Sequence, residues 1–219
     1  DILHEFYSAL GGANWTNDAN WTTTDDYCTY FGVACDLTYD VVSIRLVNNN
    51  LQGPLPPVIA QLPALTNLVL SGNNITGQLS FLPLMSGLLY LDLTDNALSG
   101  DFPSLANLTA ASEVHLANNR LTGPLPAALP KYLEALYVYN NLLTGPLPAG
   151  VSGSPRLRVL WAANNTLHGN MTDNFQPALT HVDLSYNNLT GLFPASLTTL
   201  PAIEYINFEY NNMVGNVTD

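Results

Sequence analysis

The sequence predicts an α/β solenoid of eight stacked repeats, with a concave parallel β-sheet and a helical cap at its start. Three observations predict it. A phrase of the pattern L-x-L-x-x-N-x-L-x-G recurs through the chain. Its copies keep a near-constant interval from residue 41 onward. The first 40 residues do not repeat, and they carry a helical stripe and two tryptophans. A fixed period of a few tens of residues marks a fold in which each unit packs only on its neighbours.

The cap comes first. Ile2, Leu3, Phe6, Tyr7 and Leu10 share one helical face, and Gly11-Gly12 ends the pattern. Trp15, Trp21 and the phrase CTYFGVAC, Cys28 to Cys35, follow. A solenoid end must be covered or its apolar face stays wet, and the helix and tryptophans serve that purpose.

The repeats occupy residues 41–219. Anchored on the asparagine four residues before a glycine, they fall at Asn49, Asn73, Asn96, Asn119, Asn141, Asn165, Asn187 and Asn211, spaced by 22 to 24 residues. The L-x-L pair alternates with period two and reads as a short strand with both apolar side chains inward. Stacked copies then form a parallel sheet at about 4.8 Å per strand. The anchor asparagine stands where the chain leaves the strand, where its amide can bond backbone groups otherwise buried unpaired. The apolar residue two positions on returns to the core, and the glycine permits the next bend. The tail G-x-Φ-P recurs at Gly53, Gly100, Gly123, Gly145 and Gly191. Its apolar residue is expected to seat a second short strand on the far side of the coil, ended by the proline.

This pattern, extended to L-x-x-L-x-L-x-x-N-x-L-T-G-x-Φ-P, resembles the plant-specific subclass of leucine-rich repeats found in receptor-kinase ectodomains and polygalacturonase-inhibiting proteins. The resemblance implies a right-handed coil. It also implies a disulfide between Cys28 and Cys35, because the equivalent phrase of the plant-type cap carries one, and a bonded pair implies an oxidising compartment. The phrase GGANWTNDANW from Gly11 looks like caps of secreted or surface repeat proteins of protists, algae and bacteria. No terminal cap follows Gly215. The core face near Ile206, Phe208 and Met213 is therefore expected to be uncovered, which fits continuation of the chain or end-to-end self-association.

The net charge of −12, with one lysine and four arginines, excludes the cationic stripe a nucleic-acid binder needs. No apolar run is long enough to span a membrane. Acceptor triplets N-x-[ST] begin at Asn14, Asn20, Asn74, Asn107, Asn164, Asn170, Asn188 and Asn216, an excess over chance that argues for a secreted or surface glycoprotein.

Three columns of side chains are expected on the concave sheet. The central one reads Arg45, Val69, Asp92, His115, Tyr137, Trp161, Asp183, Asn207. The column two residues earlier includes Tyr90, Glu113, His181 and Tyr205, and the column two residues later includes Tyr139, Ser185 and Glu209. Aromatics gather at Tyr137, Tyr139 and Trp161, with acids on either side, a composition suited to a binding hot spot. The expected binding residues are Tyr137, Tyr139, Trp161, His115, Asp92, Glu113, Asp183 and Tyr205. Asp92 and His115, in one column on adjacent coils, are expected within bonding reach.

No nucleophile elbow, zinc-binding helix or phosphate loop occurs, the histidines are scattered, and an open sheet excludes no water. No catalytic residue, metal or cofactor is expected. The leading reading is a non-enzymatic extracellular module that binds a protein, peptide or glycan through its concave face. The alternative is a structural glycoprotein of a cell-surface or filamentous assembly, stacked through its uncapped end. An ice-binding solenoid ranks last, because the exposed columns are too mixed for a flat repeating row.

Overall fold

The structure is a computed structural model that describes residues 1–23, 25–148, 154–171, 173 and 175–215. Its start is a helix, Ile2–Ala9, whose first turn is held by the Asp1 carboxylate accepting from the Leu3 N–H at 3.1 Å. The helix gives way at Gly11, which takes φ 68°. Leu3, Phe6 and Leu10 are buried from its inner face, together with Trp15, Trp21 and Tyr30. The rings stack or meet edge to face, Trp15 against Trp21 at 4.9 Å and Trp21 against Tyr30 at 4.9 Å. Both indole N–H groups find carbonyls, Leu10 O at 2.9 Å and Phe31 O at 3.0 Å, so the cap core is apolar without an orphaned donor. Cys28 and Cys35 form a disulfide. It ties the turn Tyr27–Thr29 to the strand Val33–Cys35, which pairs antiparallel with the first repeat strand, Val41–Arg45.

From there the sheet runs parallel. Its strands are Val41–Arg45, Asn67–Val69, Tyr90–Asp92, Glu113–His115, Ala135–Tyr137, Val159–Trp161, His181–Asp183 and Tyr205–Asn207, one per coil and in chain order. The register keeps the predicted columns: Asp92 pairs with His115, His115 with Tyr137, and Tyr137 with Trp161. Leu46, Leu70, Leu93 and Leu116 are fully buried, as are Val138, Ala162 and Leu184 at the same position further on. In the eighth coil Ile206, Phe208 and Met213 are partly buried against the core.

The anchor amides bind coil to coil. Asn119 Nδ2 donates to Leu116 O and Ala117 O of its own coil and to Leu93 O of the coil before, at 3.0 to 3.2 Å. Its Oδ1 accepts from Leu98 N, also of the coil before. Asn73, Asn96, Asn141, Asn165, Asn187 and Asn211 repeat this arrangement. Asn49 has no preceding coil. Its amide instead bonds both backbone groups of Asn17, latching the cap to the repeats. Each amide satisfies groups that would cost about 1–3 kcal/mol apiece if buried unpaired.

One position before each anchor, the backbone turns left-handed in every coil. Asn48, Gly72, Asp95, Asn118, Asn140, Asn164, Tyr186 and Tyr210 have φ between 51° and 70°. Gly72 also leaves room for a neighbour, because a Cβ there would collide with Asn48 Oδ1. Four of these side chains join in a ladder: Asn118 Nδ2 to Asp95 Oδ1 at 2.6 Å, Asn140 Nδ2 to Asn118 Oδ1 at 2.5 Å, and Asn164 Nδ2 to Asn140 Oδ1 at 2.7 Å.

The second strand row exists, and it begins earlier along the repeat than expected. It starts before the glycine and runs into the first residues of the G-x-Φ-P tail, as in Gln52–Pro54 with Asn74–Thr76 and Ser99–Asp101 with Arg120–Thr122, and the N–H of the apolar tail residue still pairs, Leu55 N to Thr76 O and Phe102 N to Thr122 O. All eight of these glycines have positive φ. The apolar residue of the tail does go inward: Leu55, Leu79, Phe102, Leu125 and Leu147 are buried. The backs of the coils carry short 3-10 turns such as Pro57–Gln61 and Ala195–Thr199, so the cap helix is the only α-helix among the described residues.

Candidate functional site: the concave face

The concave sheet carries three side-chain columns two residues apart along each strand, successive side chains within a column stand about 4.8 Å apart, and the aromatics among them meet. His115 stacks on Tyr137 with centroids 4.4 Å apart and planes 23° off parallel. Tyr90 lies 5.2 Å from His115 on the other side. Trp161 meets Tyr137 edge to face at 5.5 Å and Tyr139 at 6.1 Å. The result is a continuous track, Tyr90–His115–Tyr137–Trp161–Tyr139, across coils three to six. All five side chains are half-buried. The expected group Tyr137, Tyr139, Trp161 and His115 is therefore brought together. Tyr90 joins it although the hot-spot reading left it out. Its place in the column beside Glu113 was the available signal.

Burial holds the phenol of Tyr137 above its ordinary range, with Glu113 and then Tyr139 adding to the effect. Tyr139 is raised by burial first, then by Asp95 and Asp92. Tyr90 is raised by burial, then by Asp92 and Glu113, with Arg45 opposing. All three stay protonated at neutral pH and can donate. The indole Nε1–H of Trp161 is buried and has no hydrogen-bond partner among the described residues.

The acids behave differently from expectation. Asp92 and His115 are register partners, but they do not bond. His115 Nε2 pairs instead with Glu113 Oε2 at 3.0 Å, two residues back on the same strand face. Asp92 Oδ1 is taken by the Thr94 N–H at 3.0 Å. Local side-chain-to-backbone turns of this kind compete well with cross-strand partners because almost no chain need be ordered to form them. Asp183 does the same, with Oδ1 accepting from both the N–H and the hydroxyl of Ser185. Tyr205 is exposed and stands apart from the track, facing His181 at 6.2 Å. Not every column residue reaches solvent: Val69, Ala117, Ala135 and Ser185 are buried.

At the edge of the face, sequence reasoning missed Tyr186 and Tyr210. Their rings stack at 4.2 Å and 17°. Seven acceptor asparagines, Asn14, Asn20, Asn74, Asn107, Asn164, Asn170 and Asn188, are exposed. Asn216 lies outside the described residues. Among the described residues no group of acids, histidines and cysteines could hold a metal ion, and no helix is long and apolar enough to cross a membrane.

Comparison with known proteins agrees with this geometry. The family model described as Leucine Rich Repeat matches residues 178–200. Receptor-like protein 35 of Arabidopsis thaliana is 30% identical over 151 residues, which is 67% of this chain and 16% of that protein. The chain spans between 6% and 16% of the length of the curated relatives it matches. Among solved structures, the plant peptide hormone receptor RGFR1 in complex with RGF2 superposes with TM-score 0.75 at 30% identity, covering 77% of this chain and 28% of that one. The leucine-rich-repeat ectodomain of the membrane receptor kinase GASSHO1/SCHENGEN3 from Arabidopsis thaliana, in complex with CASPARIAN STRIP INTEGRITY FACTOR 2, does so with TM-score 0.77 at 26% identity. It covers 97% of this chain and 30% of that one. These likenesses and the eight coils define a leucine-rich-repeat solenoid. The chain is a leucine-rich-repeat protein of the plant-specific subclass.

Proposed function

We propose that this chain is a non-enzymatic extracellular recognition module that binds an extended peptide along the aromatic track of its concave face. The stacked aromatic track through Trp161 carries the reading, because a peptide laid across it buries several ring faces at once. Tyr90, His115, Tyr137 and Tyr139 around Trp161 offer rigid, amphipathic surface that loses little entropy on contact. Asp92, Glu113, Asp183 and Glu209 beside the track, on a chain of net charge −12, favour a basic peptide. The peptide-hormone complex named above supports the same class of partner. An extracellular location is supported by the cap disulfide and by the exposure of seven acceptor asparagines for N-linked sugars.

The test starts from a displayed library of linear peptides selected on the wild-type chain. The enriched peptide is expected to lose about tenfold or more in affinity on Trp161→Ala, with the melting temperature unchanged. Trp161→Phe, which keeps a ring and loses the N–H, is expected to fall between the two. Full affinity in Trp161→Ala removes the reading.

A further inference from the structure

Coils seven and eight break the rule of the left-handed row. Six coils meet the positive φ with glycine, asparagine or aspartate, the residues that tolerate it. Tyr186 and Tyr210 hold φ 53° and 57° with bulky side chains, a conformation that is strained for such residues and points toward function when nothing in the packing explains it. Packing does not explain it here. The two rings are 52% and 67% exposed and stack on each other rather than on the core.

The stack covers one face of Tyr186. Beside it lies a shallow groove lined by Asn140, Ala163, Asn164, Asp183, Ser185 and Tyr186. The small side chains of Ala163 and Ser185 form its floor. The exposed amide ladder stops at its rim. Asn164 Nδ2 donates to Asn140, but Tyr186 offers no amide to continue the row, so Asn164 Oδ1 has no partner among the described residues. Asp183 commits only Oδ1 to its turn, which leaves Oδ2 unpartnered there as well. The groove thus combines an exposed aromatic face with two free oxygen acceptors.

That combination calls for a ligand with a flat C–H face and hydroxyl donors around its rim. We propose that this groove is a subsite for a neutral pyranose unit of a glycan, the sugar ring lying on Tyr186 and its hydroxyls donating to Asn164 Oδ1 and Asp183 Oδ2. The groove borders the peptide track, since Asp183 is the register partner of Trp161, but its aromatic face belongs to Tyr186, which lies outside the track. Asn164 also heads an acceptor triplet, so a sugar attached there would enter the same groove.

The experiment uses the 219-residue chain produced without N-glycans in an oxidising host, titrated with cellohexaose, xylohexaose and chitohexaose. At least one is expected to bind. Tyr186→Asn is expected to weaken that binding by about tenfold or more while holding or raising the melting temperature, because asparagine accepts the left-handed turn. Tyr90→Ala, at the opposite end of the track, is expected to weaken peptide binding while leaving sugar affinity within about twofold, which separates the two readings. The proposal is overturned if none of the three hexasaccharides binds, or if Tyr186→Asn binds as wild type. Should Tyr186→Asn lose stability as well, Tyr186→Phe decides, since it keeps the ring: retained affinity supports the stacked sugar and lost affinity overturns it.

Discussion

Two rows of side chains run side by side along the solenoid, and they answer to different demands. The anchor row, from Asn49 to Asn211, is asparagine in all eight coils. The row one residue earlier shares the turn, yet it holds asparagine, glycine, aspartate and tyrosine. The anchors are buried or half-buried, and each bonds from two backbone groups, at Asn49, to five, at Asn73. Only a short carboxamide, donor and acceptor at once, does this. The outer row is exposed in most coils, so water can replace any side-chain bond it loses, and the backbone angle is its main constraint. Uniformity thus follows burial of polar backbone rather than position in the turn, and freedom in the outer row is where function can enter.

Substitutions in each row can break this comparison. Asn119→Ala in the anchor row leaves the buried Leu98 N–H unpaired and strips one of two donors from Leu116 O, Ala117 O and Leu93 O, which keep Asn141 Nδ2, Asp95 N and Asn96 Nδ2. It is expected to cost about 3 kcal/mol, a fall of roughly 6–12 °C in melting temperature for a chain of this size. Asn140→Ala in the outer row breaks two exposed ladder bonds and puts a Cβ without a polar group at φ 54°. About 1–2 kcal/mol is expected there, mostly from the backbone. Asn118→Gly removes the same kind of ladder contact but keeps the angle at no steric cost, and its melting temperature is expected to stay within about 2 °C of wild type. A loss in Asn118→Gly as large as that in Asn119→Ala would mean that the exposed ladder holds the coils as strongly as the buried one.

The sequence disclosed the coil because each position of L-x-L-x-x-N-x-L-x-G has its own physical reason, and eight copies repeat those reasons in register. Leu46, Asn73 and Gly100 could each be assigned a direction before any coordinates were known. The aromatic cluster was legible for the same reason, since strand columns follow from the repeat. What stayed hidden were choices among near-equal local options. His115 takes Glu113 rather than Asp92, because Asp92 is already engaged by the backbone of Thr94. The left-handed row had a signal in its run of asparagine, glycine and aspartate, but Tyr186 and Tyr210 masked the pattern. The second strand row starts before the glycine and not only at the apolar tail residue, a start that no apolar pattern in the sequence marks.

The anchor amides all reach the same way. Asn73 takes N–H groups of the first coil, Asn96 one of the second, and Asn49 that of Asn17 in the cap. No coil needs its successor to complete its own latch, whereas every coil needs its predecessor. A chain leaving the ribosome amino end first would therefore meet a finished template at each step, and the solenoid can wind up in the direction of synthesis, one latch per two dozen residues translated.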